Sequence, residues 1–288
     1  MSDILFLGFG PIASSVVEAL KQESVKRIQA ISKFGQINRS EKNVDFLNID
    51  NREHSLFLET EIVVVSWREL TEEREFFLSF LTEALPPQAL IINLSSGSVY
   101  GSGIMMNEEQ SIPKPMNEYG RQKLLIENTL NLVMKQRVIN FRISNLYGSA
   151  LPQSLPIQLI TAISTKNRLQ IFDLTSIRRD YVYLEDFLLF LSSCLENTNW
   201  KSTCPERLLI NFSSGIGTTT DDLIRLLEGY THQEITMLDL IETPLGTIVE
   251  NTLDPSILET VFDFKPRLLE VGLRELLDNL GISPLSSL

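Results

Sequence analysis

An apolar run, Ile4-Leu5-Phe6-Leu7, passes without interruption into Gly8-Phe9-Gly10-Pro11-Ile12-Ala13 and then into an amphipathic stretch from Ser14 to Lys21. Nothing else in the chain so narrows its choice of fold, because Gly-x-Gly-x-x-Ala between a strand and a helix makes three separate demands. Gly8 permits a tight turn, Gly10 lets an anionic group approach the backbone, and Ala13 is small enough for the helix to lie close on the strand. The first helical turn, with Ile12 and Ala13, offers free N–H groups and the positive end of the helix dipole to a phosphate. Pro11 suits that turn, since its missing N–H would find no partner there.

The same strand-then-helix rhythm continues. Strands are expected at 3–8, 27–32, 44–48, 61–66, 89–95 and 137–144, with helices at about 11–22, 70–84 and 117–135 between them. Alternation of this kind belongs to the α/β class, here a Rossmann-type doubly wound parallel sheet. After Gly148 the rhythm changes. A short helix near 155–165 and a strand from Leu169 to Phe172 come first, then a long apolar helix at about 185–197. The strand Leu208 to Phe212 is expected to rejoin the main sheet, and helices at about 219–230, 254–260 and 268–280 complete a smaller mixed α/β lobe. No internal repeat or low-complexity segment interrupts the pattern.

With 288 residues and 43% hydrophobic content, the chain can bury one large core or two modest ones. A net charge of −12 argues against nucleic acid as a partner, since that needs a basic face to displace counterions. No apolar run approaches the roughly 20 residues that cross a bilayer, and Met1-Ser2-Asp3 lacks the basic flank of a signal peptide. The expectation is a soluble, cytoplasmic protein with no membrane partner. His54 and His232 lie far apart without Cys or His at ligand spacing, so no metal site is expected, and no Ser-His-Asp arrangement is visible. Cys194 and Cys204 are read as structural thiols.

Tyr119 and Lys123 lie four residues apart in Glu118-Tyr119-Gly120-Arg121-Gln122-Lys123, inside a helical stretch, and so share one face. A free tyrosine has a pKa of about 10, and a nearby ammonium favours the phenolate. The pair therefore describes a proton-transfer site, with Tyr119 drawn down by Lys123. Ser96, in the strand end Ser95-Ser96-Gly97-Ser98-Val99-Tyr100-Gly101, would bring a second hydroxyl to the same oxygen.

Taken in order, the Gly8 to Ala13 turn, the Ser95 to Gly101 strand end, the Tyr119/Lys123 pair, Arg142-Ile143-Ser144-Asn145-Leu146-Tyr147-Gly148, Arg179-Asp180-Tyr181-Val182-Tyr183 and Asn211-Phe212-Ser213-Ser214-Gly215 resemble the extended short-chain dehydrogenase/reductase family, in its nucleotide-sugar epimerase, dehydratase and reductase branch. Asp254-Pro255-Ser256 and Lys265 to Arg274 resemble its final segment. The resemblance implies a dinucleotide-binding domain over 1–148, rejoined by about 176–212, and a substrate-binding lobe over 149–175 and 213–288. It implies Ser96, Tyr119 and Lys123 as catalytic residues, with Lys123 also holding the nicotinamide ribose. Gly8, Gly10, Pro11, Ile12, Ala13, Ser66 and Asp50 would touch the cofactor, Asp50 at the adenine. Asn145 would contact the sugar nucleotide and Arg179 its diphosphate, alongside Ser96 and Tyr119 at the sugar. Family members often pair through the helices here at 70–84 and 117–135, which implies a homodimer.

The departures from that family are informative. The phosphate turn is one residue short, Trp67 and Arg68 follow Ser66 where small residues are usual, and no second arginine precedes Asp254 within Gly246 to Asn251. Gly97 and Ser98 stand where a 4,6-dehydratase needs an Asp-Glu pair, and no cysteine marks a 3,5-epimerase. Hydride chemistry at one carbon is left. At the end of the second strand, Ser32 and Lys33, with Arg39 following, replace the acidic residue that would accept both ribose hydroxyls of NAD, which favours NADP(H) over NAD(H). The expected activity is reduction of a nucleotide-activated 4-keto-6-deoxyhexose. A UDP-hexose 4-epimerase with bound NAD is the alternative enzyme, and a non-catalytic dinucleotide-binding sensor or scaffold the alternative of another class.

Overall fold

The computed structural model describes residues 2–21, 23–31, 44–50, 52–103, 106–197, 200, 205–235 and 238–282. Within them the chain forms two compact units, one made of Met1–Ser96, Glu118–Arg142 and Leu188–Ile210, the other of Gly97–Asn117, Ile143–Phe187 and Asn211–Leu288.

The first unit is built on a parallel sheet. Its strands are β1 (Ser2–Leu7), β2 (Val25–Ile31), β3 (Val44–Leu47), β4 (Ile62–Val65), β5 (Leu90–Ser96) and β6 (Arg137–Ile143), with β10 (Arg207–Phe212) at one edge. They lie in the order β10-β6-β5-β4-β1-β2-β3. The expected return of the chain to the main sheet near residue 208 is thus met. β1 and β4 read as unbroken apolar runs because both faces are covered, and Ile4 to Leu7 and Ile62 to Val65 are all buried. Helices α1 (Pro11–Ala19), α2 (Glu72–Ala84) and α3 (Glu118–Val133) supply the connections. Thr71 caps α2 by accepting from the Arg74 N–H, with Glu72, Glu73 and Glu75 in the first turn, where the helix dipole favours negative charge. The chain winds outward in one direction from β1 to β3 and in the other from β4. That reversal point, at the carboxyl ends of the strands, is where doubly wound sheets take their ligands. Gly8, Ser66 and Ser96 stand at the ends of β1, β4 and β5.

In the second unit, β9 (Arg178–Tyr183) is the common partner. It pairs with β7 (Asn145–Tyr147) and β13 (Glu250–Asn251) in parallel and with β11 (Gly217–Thr219) antiparallel. A separate parallel pair joins β8 (Leu169–Ile171) to β12 (Leu238–Leu240). Helices α4 (Leu155–Thr165), α6 (Thr220–Thr231) and α8 (Leu269–Asn279) bury Leu159, Leu223, Leu227 and Leu276 against Tyr147, Tyr181 and Tyr183. Helix α5 (Leu184–Glu196) starts in the second unit and has most of its length, from Leu188, in the first, while the short α7 (Ser256–Phe262) belongs to the second. Thr219 opens α6 with a reciprocal capping box to Asp222. Among the described residues no helix is long and apolar enough to cross a membrane, and no cluster of His, Cys, Asp and Glu could hold a metal ion.

Candidate active site

The turn after β1 has the properties its glycines imply, each for a different reason. Gly8 has φ +91°, and its N–H donates to Ile31 O at 2.9 Å. A Cβ there would come within 3.0 Å of Ser66 Oγ and Trp67 Cδ1. Gly10 has ordinary extended backbone, and a Cβ built on it meets nothing within 4 Å. Gly10 is the N-cap of α1 and brings no side chain to the first turn, Pro11 is the first helical residue, and Ala13 is buried. Open space over uncapped helix N–H groups suits the diphosphate of a dinucleotide. Ser66 has a structural task of its own, since its hydroxyl donates to Gly8 O at 2.9 Å and ties the end of β4 to the turn. Asp50 lies exposed in the turn after β3, where its N–H donates to Asn48 Oδ1. Ser32, Lys33 and Arg39, which carry the expectation of NADP(H), lie outside the described residues, as does Cys204. Cys194 is buried, and its thiol is pushed up to about 12 by that burial.

Ser96, Tyr119 and Lys123 all belong to the first unit. Tyr119 is in the first turn of α3 and is 38% exposed. A hydrogen bond joins it to Ser96 at the end of β5. Lys123, one turn on, is buried, and its Nζ lies 5.8 Å from the Tyr119 ring centroid while donating to Trp67 O and Leu94 O, both at 2.7 Å. The lysine is brought down to about 8, chiefly by burial and also by the charge of Arg68, with Glu127 acting in the opposite sense.

The expectation for Tyr119 itself needs correction. Loss of water around the phenol outweighs everything else and raises its pKa, and the influences pulling it down are the Ser96 hydrogen bond and the Arg68 guanidinium. The lysine's hydrogen bonds go to two backbone carbonyls, and Tyr119 is held in its protonated form.

Two residues to which the sequence assigned no role stand behind Lys123. Glu127 continues the face that carries Tyr119 and Lys123, and it is bound by Arg142 of β6 through Nε to Oε1 at 3.1 Å and Nη2 to Oε2 at 2.7 Å. Both side chains are buried, and the Ser95 hydroxyl also donates to Glu127. The spacing of Glu127, a further four residues along α3, was the available signal.

In the second unit, Asn145 and Arg179 line one pocket of about 310 Å³ together with Ser98, Asn117, Phe172, Leu245 to Ile248 and Asn251. Asn145 Nδ2 donates to Asp180 O at 3.0 Å, and Arg179 donates to Ile248 O. Arg179 is the cation among these lining residues. Asp180 beneath them is fully buried and accepts from Ser214 Oγ, Ser214 N and Gly215 N at 2.7, 3.0 and 3.0 Å. Burial raises its carboxyl to about 6 against those hydrogen bonds. At Gly97, a Cβ would lie 3.0 Å from Leu253 Cδ1 and 3.2 Å from Asn251 Oδ1, so an acidic side chain there would displace its neighbours.

A model of the NAD dependent epimerase/dehydratase family matches residues 78–203, which include Ser96, Tyr119, Lys123, Asn145 and Arg179. Over those residues, fewer than half of the chain, the sequence is similar to that family. Solved structures agree in fold over almost its whole length. The UDP-glucuronic acid 4-epimerase from Bacillus cereus, in complex with UDP-glucuronic acid and NAD, has 21% identity and TM-score 0.78, with 96% of this chain and 99% of that one covered. An NAD dependent NDP-hexosamine 5,6-dehydratase involved in tunicamycin biosynthesis has 18% identity and TM-score 0.78, with both chains covered completely. The dTDP-glucose 4,6-dehydratase from Bacillus anthracis str. Ames, in complex with NAD, has 17% identity and TM-score 0.74, with 96% of each chain covered. At these identities the likeness to epimerase/dehydratase structures is one of fold, and chemistry has to be argued from the site.

Proposed function

We propose that this protein is a nicotinamide-dependent reductase of a nucleotide-activated 4-keto-6-deoxyhexose. The observation that carries the reading is the hydrogen-bonded Ser96–Tyr119 pair with buried Lys123 one helical turn behind it. The Gly8 to Ala13 turn would hold the diphosphate of a dinucleotide, whose chemistry when bound is to supply a hydride to the sugar carbonyl carbon. Tyr119, kept protonated by its raised pKa, gives its proton to the carbonyl oxygen as negative charge develops there. Ser96 hydrogen-bonds the same oxygen and orients it. Lys123, cationic below about pH 8, stabilises the phenolate left behind. Asn145 and Arg179 are assigned to the sugar nucleotide, Arg179 to its diphosphate, for which a planar guanidinium is suited.

Gly97 and Ser98, which stand where a dehydratase needs its acidic pair, support single-carbon chemistry over dehydration, and a Cβ at Gly97 would press on the Leu253 and Asn251 side chains. NAD(H) is the cofactor we assign, in line with the bound NAD in the Bacillus structures. The preference for NADP(H) expected from Ser32, Lys33 and Arg39 is decided by comparing NADH with NADPH. Pairing of two copies through α2 and α3 belongs to the same reading, supported by the exposed Phe76, Leu125 and Leu132 on those helices.

Replacing Tyr119→Phe tests the assignment of the acid. Turnover is expected to fall by roughly 10²–10⁴-fold while dinucleotide binding persists. Full turnover in that variant would remove Tyr119 from the mechanism.

A further inference from the structure

Trp67 and Arg68 follow β4 where the family resemblance leads one to expect small residues, and each acts on the proton-transfer site. The Trp67 carbonyl takes a hydrogen bond from Lys123 Nζ. The Arg68 guanidinium lies over the Tyr119 ring, with Cζ 5.8 Å from the centroid, the same separation as Lys123 Nζ. That is within the range where a cation is attracted to an aromatic face. Arg68 is exposed, and the neighbouring Glu69 pairs with Arg74 at 3.8 Å instead.

We propose that Arg68 is a positioning residue of this site, a second and permanent cation that favours the phenolate of Tyr119 beside Lys123. The proposal rests on the reading of Tyr119 as the acid/base. A guanidinium keeps its charge at every working pH. The Lys123 ammonium is half lost at about pH 8, so above that pH Arg68 is the cation left beside the phenol.

The groups facing the pair can be followed element by element. Tyr119 meets Ser96 from β5, Arg68 from the segment after β4, and Lys123 from its own helix. Lys123 meets Arg68, the carbonyls of Trp67 and Leu94, and Glu127, whose carboxylate is shared with Arg142 on β6 and Ser95 on β5. Arg68 pulls the tyrosine down and, as a like charge, pulls the lysine down too. Neutralising it therefore has a paired signature, with both groups moving up. A residue that only filled space would not produce that pattern.

The test is titration of Tyr119 by NMR with ring-labelled tyrosine, its signal assigned from its loss in Tyr119→Phe, in the parent, Arg68→Gln and Arg68→Lys. Arg68→Gln is expected to move the Tyr119 inflection up by roughly 0.5–1 pH unit. Arg68→Lys should restore most of the shift, and the inflection of the reduction rate due to Lys123 should move up in Arg68→Gln as well. An unmoved or lowered Tyr119 inflection in Arg68→Gln overturns the proposal, and so does a shift that Arg68→Lys fails to reverse. Because the titration needs no turnover, an inactive parent whose Tyr119 inflection still moves would end the reductase reading and leave the role of Arg68 standing.

Discussion

Gly8 and Gly10 are two residues apart and differ in what a side chain would do to them. Gly8 sits at φ +91° against Ser66 and Trp67, so Gly8→Ala is expected to cost about 1–3 kcal/mol, measured by thermal or denaturant unfolding. Gly10 has permitted backbone and open space, so Gly10→Val should leave unfolding within about 0.5 kcal/mol of the parent yet weaken dinucleotide binding by about tenfold or more. Equal losses of stability in both variants would contradict this division. Lys123 gives a pH prediction. Its pKa is lowered to about 8, so its charge is present below that pH and lost above it, and the reduction rate should fall as pH rises through about 8. A rate that climbs through that range would remove the lysine charge from the mechanism. At this scale the sequence placed Tyr119 and Lys123 on one helix face but misjudged the phenol. Spacing along a helix says which side chains are neighbours, while desolvation and the lysine's choice of Trp67 and Leu94 carbonyls depend on segments distant in the chain.

Helix α3 works as a rod that presents Tyr119, Lys123 and Glu127 at successive turns, and the Glu127–Arg142 pair fixes it to β6. Removing one member of a buried ion pair leaves the other uncompensated. Glu127→Ala is therefore expected to destabilise the protein by about 3–5 kcal/mol in denaturant unfolding, and a change under about 1 kcal/mol would show that the pair anchors nothing. The long elements were legible because their pattern is local. β1 and β4 are continuous apolar runs between turn residues, and the helices carry periodic apolar faces. The three-residue strands β7 and β11 and the two-residue β13 were not, since each exists only by pairing with β9. The Thr219 capping box, by contrast, marks the start of α6 within four residues of sequence.

For the molecule as a whole, the sequence motifs resolve into two sets. The glycine turn, Ser96, Tyr119 and Lys123 belong to the unit built on the parallel sheet, while Asn145 and Arg179 share a pocket in the other. Under the proposed function, dinucleotide and proton chemistry fall to the first unit and recognition of the activated sugar to the second. The claim that the first set reduces the ligand of the second is tested most directly by following nicotinamide absorbance when the full chain is mixed with NADH or NADPH and a dTDP- or GDP-4-keto-6-deoxyhexose. A fall in absorbance stoichiometric with the keto sugar, and lost in Tyr119→Phe, is expected. No consumption of either cofactor with any keto sugar, or interconversion of UDP-hexose epimers without net consumption, would contradict it.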